Sequence, residues 1–307
     1  GESQEIPGTT KSAKRTTIIA VVLFLGALAS GILLYGMSLV YGFAGTPSYS
    51  GIRIAFADGF STGALFGVVF VMAGLAFKIA AVPFHAWAPD AYQGATPPVA
   101  AFLAAGAKAA GLAALGRVCL VAFGTQAQDL SVFLAGFAAL SIIVGSVVLL
   151  SQTDMKRLLA YSSIAHAGYA LLGLIAGTPE GVSATMTYAF FYVFMTIGTF
   201  GVIIALGERG ERLDGYQGLA AQRPGTAALM LLFLLSLTGI PPTAGFWAKF
   251  VVIGSAVRAG YTELAVLAVA CSVVSAFIYM RVVVLMYMRE PQAPAPARFP
   301  VAVSAVL

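Results

Sequence analysis

Three lysines, Lys78, Lys108 and Lys249, and one histidine, His166, stand inside stretches apolar enough to sit in lipid. A charged side chain at the centre of a bilayer costs roughly 2.5–3.5 kcal/mol even on the lenient insertion scale. Three lysines add up to about 9 kcal/mol, which a purely structural helix bundle gains nothing by keeping. Desolvation penalises the charged form of an amine, so a nearby charge or water can switch its proton on and off, which is proton-relay chemistry. For a single cation the plain alternative is snorkelling to the interface, and Arg281, near the basic end of its segment, is read that way. On a helix turning about 100° per residue, Gly63, Gly67 and Gly74 share the face of Lys78. Ala101, Ala104, Ala105 and Gly111 share that of Lys108, while Phe102 and Leu103 point away. Small-residue faces pack closely, so both ammonium groups are expected to point inward.

His166 lies on a polar stripe with Ser162, Ser163 and Tyr169 at helical spacing. In that company it reads equally as a packing histidine or as a relay group. Pro83 and the pair Pro241 and Pro242 interrupt the segments that carry Lys78 and Lys249. Each could be a simple kink, but two interrupted helices beside buried lysines fit the broken-helix ion sites of transporters. His85, Trp87 and Asp90 read as closing a helix end at the membrane interface. All twelve carboxylates fall in loops, the N-terminal tail or span ends, so the chain offers the lysines no acidic partner.

These residues need a membrane bundle to position them. Hydrophobic residues make up 60% of the chain and charged ones 9%, with a mean hydropathy of +0.93, which excludes an ordinary soluble domain. The apolar runs reach the roughly 20 residues that cross a bilayer as helix, and lack the short alternation of a barrel. The fold class is therefore an all-α polytopic membrane protein. Cys119 and Cys271 lie in separate apolar runs and read as inert buried thiols. With no cysteine cluster, no glycine-rich phosphate loop and two histidines, NADH, flavin and metal chemistry must reside elsewhere. The net charge of +5 reads as a topology signal, with no implication of nucleic acid.

In order, residues 1–15 form a polar tail and eight spans follow: 16–43, 62–92 (broken), 97–123, 130–150, 155–176, 182–206, 225–258 (broken) and 262–288. Residues 290–307 form a linker and the start of a further, truncated helix. Of the seventeen Lys and Arg, four (Lys78, Lys108, Lys249, Arg281) lie within spans and three (Arg53, Arg117, Arg258) on the side opposite the N-terminus. The other ten share the N-terminal side, a bias that places the N-terminus in the cytoplasm or matrix.

The segments FKIAAVPFHAWAPDAYQGATPPVAAFLAAGAK, SQTDMKRLLAYSSIAHAGY and LTGIPPTAGFWAKF, with LYGMSLVYG before them, closely resemble the antiporter-like subunit N of bacterial respiratory complex I, the counterpart of mitochondrial subunit 2. The resemblance runs from about Gly26 to Pro291. It implies an antiporter-like fold of inverted helix repeats around a polar axis at mid-membrane. Residues 16–123 would be part of the first repeat and 130–289 the second. It also implies that Lys78, Lys108 and Lys249 carry or gate the proton and that His166 bridges between them. NADH, FMN, iron–sulfur clusters and quinone would then belong to partner subunits, the neighbours would be other antiporter-like and small membrane-arm subunits, and the membrane would be the bacterial inner membrane. In the resembling proteins the first lysine pairs with a glutamate on an earlier helix, so the chain is expected to be an internal part of a longer protein. A Glu and Lys expected one turn apart are replaced here by Thr17 and Val21. The relative that competes with this reading is a subunit of a multi-chain cation/proton antiporter. From a different class comes a non-transporting scaffold bundle.

Overall fold

The computed structural model describes residues 7–291, with backbone alone for residues 7–19 and 21. Residues 1–6 of the polar tail, and the linker and apolar start from 292 onward, lie outside the described residues, as do the side chains of Thr17 and Val21. The helices in chain order are α1 (Pro7–Ala44), α2 (Tyr49–Ala55), α3 (Thr62–Lys78), α4 (Trp87–Gly94), α5 (Pro97–Phe102) and α6 (Lys108–Arg117). There follow α7 (Ala127–Leu149), α8 (Met155–Leu174), α9 (Pro179–Leu206), α10 (Leu219–Gln222), α11 (Pro224–Thr238), α12 (Ala244–Arg258) and α13 (Thr262–Met288). α5 and α6 are one continuous rod, joined by a π-helical stretch at Leu103–Ala107 and extended by a second at Val118–Ala122. Among the described residues there is no strand, and one isolated bridge pairs Asp154 with Arg212.

Local chemistry sets the ends. Asp154 caps α8 by accepting from the Arg157 backbone N–H at 2.9 Å. Thr178 caps α9 through the Gly181 N–H, with Pro179 in the first helical position, where its missing N–H costs nothing. α11 stops at Gly239, whose φ of +85° suits glycine. Two differences from the hydropathy reading stand out. α1 begins at Pro7 and so takes in the basic stretch before residue 16, and the loop expected at residues 45–61 contains α2.

Among the described residues five helices are long and apolar enough to cross a membrane: Val22–Ala44, Pro97–Ala122, Gly124–Leu149, Pro179–Glu211 and Thr262–Met288. α3 and α11 are shorter apolar helices, each followed by a break, at residues 79–86 and 239–243. α8 is less apolar for a physical reason: 18 of its 20 residues are buried, so its neighbours in the bundle stand where lipid would otherwise be. Close approach makes that possible. A Cβ added at Gly145 of α7 would meet the Ala165 backbone nitrogen at 2.5 Å, and one at Gly168 of α8 would meet Ile142 at 2.8 Å. The outward faces carry the large apolar groups instead, such as Phe102, Phe190, Phe250 and Phe277.

The first break is tied down by a side chain of α7 and by one at the start of α4. The Val82 N–H donates to the Ser141 hydroxyl at 2.9 Å, and the Trp87 indole N–H donates across the gap to the Phe77 carbonyl at 3.0 Å. Backbone groups freed at membrane depth need such partners, because lipid supplies none.

Candidate functional site

α8 is the spine of the site. Its stripe, Ser162, Ser163, His166 and Tyr169, is buried throughout, and its members reach α6, α9 and α13. Lys108 opens α6 just after the π-helical stretch, a distortion that often marks functional positions. Its small-residue face, Ala101, Ala104, Ala105 and Gly111, is buried, Phe102 is exposed, and the lysine itself is 1% exposed. Its ammonium donates to the Ser163 carbonyl at 2.6 Å and also to the Ser163 hydroxyl. The Tyr92 hydroxyl, delivered by α4, lies 3.3 Å from that same serine oxygen.

Lys249 sits on α12 at the other end of the stripe and is 6% exposed. Its ammonium donates to the Thr238 carbonyl at 2.7 Å and to the Ser272 hydroxyl at 2.7 Å. It also lies 4.7 Å from the centroid of the Tyr169 ring, in cation–π range. Thr238 is the last residue of α11, so the helix break turns a C-terminal carbonyl that has no partner within its helix, at the negative end of the helix dipole, toward the lysine, and the Ser272 hydroxyl donates to the same oxygen at 3.1 Å. Gly239 keeps the approach open: a Cβ there would lie 2.9 Å from the lysine Cδ.

His166 lies between the two. Its Nδ1 is 2.6 Å from the Tyr188 hydroxyl, and the rings of Tyr169, Tyr188 and Tyr192 surround it at centroid distances of 5.9, 5.9 and 5.1 Å. Along α8, Ser163 and Tyr169 are separated by about 9 Å at 1.5 Å per residue, so the two lysines are anchored at opposite ends of a short polar segment. Beside it, the Ser162 and Tyr279 hydroxyls are 2.5 Å apart and Ser275 donates to Ser146 at 3.0 Å.

Lys78 is placed differently from the inward expectation. It is the last residue of α3 and exposed, and its nearest polar partner, the Ser30 hydroxyl, is at 3.5 Å. The glycine face that suggested burial is real but taken up by α1: Gly67 lies on Val40 and Gly74 on Leu33. Pro83 lies in the first break, Pro241 and Pro242 in the second, and the peptide bonds before Pro83 and Pro242 are cis. Of the expected interface group, Trp87 stacks on Phe77, Asp90 pairs with Arg157 at 2.6 Å, and His85 Nδ1 is buried without a hydrogen-bond partner. Arg281 is exposed and borders a cavity of about 490 Å³ with Asp154, Arg212 and Asp214. In that loop region the Arg212 hydrogen bonds hold the Asp214 carboxyl below the usual carboxylate range.

Among the described residues the ion pairs are Lys156 with Glu211, Arg157 with Asp90 and Arg212 with Asp214, and none involves Lys78, Lys108 or Lys249. Of the tyrosines around the site, the polar stripe in the sequence marks Tyr169 alone. The i, i+4 pair Tyr188 and Tyr192 on an apolar segment was the available signal, whereas the Ser163 and Thr238 carbonyls are backbone and leave no trace in residue type.

A family profile described as NADH:quinone oxidoreductase/Mrp antiporter, transmembrane, matches residues 6–277. NADH-quinone oxidoreductase subunit N of Rhizorhabdus wittichii is 50% identical over 284 residues, covering 91% of this chain and 58% of that protein. Subunit N of Rhodospirillum rubrum is 49% identical over 278 residues, covering 89% and 57%. Among solved structures, a chain of respiratory complex I from Thermus thermophilus with bound aureothin superposes with a TM-score of 0.80 at 38% identity, over 92% of this chain and 62% of that one. A chain of the Mrp complex from Dietzia sp. superposes with a TM-score of 0.84 at 26% identity, over 94% and 54%. The chain thus spans less than two thirds of the curated relatives it matches.

Proposed function

The chain belongs to the NADH:quinone oxidoreductase/Mrp antiporter transmembrane family, and on that footing we propose that it is a proton-translocating part of the membrane arm of an NADH:quinone oxidoreductase. The observation that carries this reading is the pair of buried lysines, Lys108 and Lys249, set against Ser163 and Tyr169 on one polar stripe of α8 with His166 between them and no carboxylate in contact. A bundle held together by packing alone has no use for two such groups. In this reading Lys108 and Lys249 hold the proton in turn, and the serine and tyrosine hydroxyls of the stripe support water between them. His166 passes it on, and Lys78 meets the path at the exposed end of α3. Residues 16–123 and 130–289 would be parts of two inverted repeats, each contributing one broken helix. NADH, FMN, iron–sulfur clusters and quinone would belong to partner subunits, and neighbouring antiporter-like and small subunits would flank the chain. The chain would sit in a bacterial inner membrane with its N-terminal side in the cytoplasm.

The close superposition on the Mrp chain supports a second reading, a subunit of a multi-chain cation/proton antiporter. Replacing Lys108 and Lys249 by Met in the assembled protein is expected to abolish proton movement while assembly persists. Unchanged flux would leave a scaffold. Sodium-dependent proton flux without co-purifying flavin and iron–sulfur subunits would support the antiporter.

A further inference from the structure

α1, α2, α3 and α6 enclose an apolar groove of about 490 Å³, lined by Val40, Val71, Leu75, Ala114, Val118 and Phe123 among others. That size and lining suit a hydrocarbon ligand. Tyr49 of α2 also lines it, and the Arg117 guanidinium lies over the Tyr49 ring, 5.6 Å from its centroid. Arg53, one turn along α2 from Tyr49, projects on nearly the same side, because residues four apart on a helix lie one above the other. Neither arginine lines the groove itself; Arg117 is held at its edge by the Tyr49 ring, and Arg53 follows the lining residue Ile52 in the chain. Both are exposed, and neither has an ion-pair partner among the described residues, although Asp58 follows Arg53 closely in the chain. Arg117 stands five residues, about 8 Å, short of the helix end at Ala122, a depth from which arginine reaches the headgroup layer.

We propose that this groove is a specific site for an anionic phospholipid of the surrounding bilayer, with an acyl chain between α1 and α6 and the phosphate between Arg117 and Arg53. A mostly apolar slot takes an acyl chain, with Ser38, Tyr41, Thr46 and Tyr49 as its few polar lining residues, and two guanidinium groups near its edge attract a phosphate diester bearing net negative charge. The choice of an anionic lipid rests on that charge, since a zwitterionic headgroup carries its own cation to the same place.

The test is retention of added lipid by the 307-residue chain in non-ionic detergent, read by native mass spectrometry. One phosphatidylglycerol per chain should be held, in preference to phosphatidylcholine. An Arg53→Gln, Arg117→Gln double variant should bind it roughly 30-fold more weakly. Arg117→Lys should retain most of the binding, which separates loss of charge from loss of fold. Val118→Trp, which fills the groove, should lower retention with both arginines in place. Equal retention by the parent and the double variant overturns the proposal. So does cross-linking of Val118→Cys in the assembled protein to a polypeptide segment filling the groove.

Discussion

Lys108 and Lys249 keep their ammonium groups satisfied by different means, one on a mid-helix carbonyl and hydroxyl of α8, the other on the carbonyl of a terminated helix and a serine of α13. Lys108 is the more demanding position, because it is almost wholly buried and its own helix presents a face of Ala and Gly around it. Lys108→Ala is expected to remove most coupled proton transfer in the assembled protein. Lys108→Arg, which keeps the charge but does not release its proton in the useful range, should do little better. Near-normal pumping by the arginine variant, measured with a pH dye in sealed vesicles, would show that charge suffices and would remove the relay role. The burial of Lys108 was legible because its small-residue face persists on both sides of the lysine. Lys78 defeated the same logic: its glycines serve the contact with α1, and the helix ends at the lysine itself.

At the scale of elements, the contact between α7 and α8 is the tightest constraint on the site. Gly145→Val would drive a side chain into the Ala165 backbone, and overpacking of this kind costs about 1–3 kcal/mol. The expected outcome is a lower melting temperature in detergent, followed by the reactivity of the buried thiols Cys119 and Cys271. A melting curve that matches the parent would mean that α8 is held from elsewhere. The hydropathy reading located the long helices and both breaks because lipid-facing residues and prolines mark them directly. It missed the π-helical stretches on either side of α6, since a single added residue per turn hardly alters an apolar run. α2 also escaped it, being a short helix whose polar and aromatic residues look like a loop.

For the whole molecule, the chain is expected to insert but not to conduct protons by itself. Each lysine is outweighed by surrounding Leu, Ile, Val and Phe at about 0.3–0.6 kcal/mol apiece toward insertion, yet no carboxylate faces Lys78, Lys108 or Lys249 among the described residues to change their hold on a proton. Lysine-dependent flux from the 307-residue chain in liposomes under a pH gradient and a membrane potential would refute this. The centrality of α8 carries a consequence for biosynthesis. It is a helix that lipid would take up less readily than its neighbours, because Ser162, Ser163, His166 and Tyr169 run as a polar stripe through its middle. The nascent helix therefore has to be handed into the membrane alongside α7, its glycine-paired neighbour, and sealed by α9. The order in which these three leave the ribosome makes that possible: the partner that shields α8 is made just before it, and the one that closes over it just after.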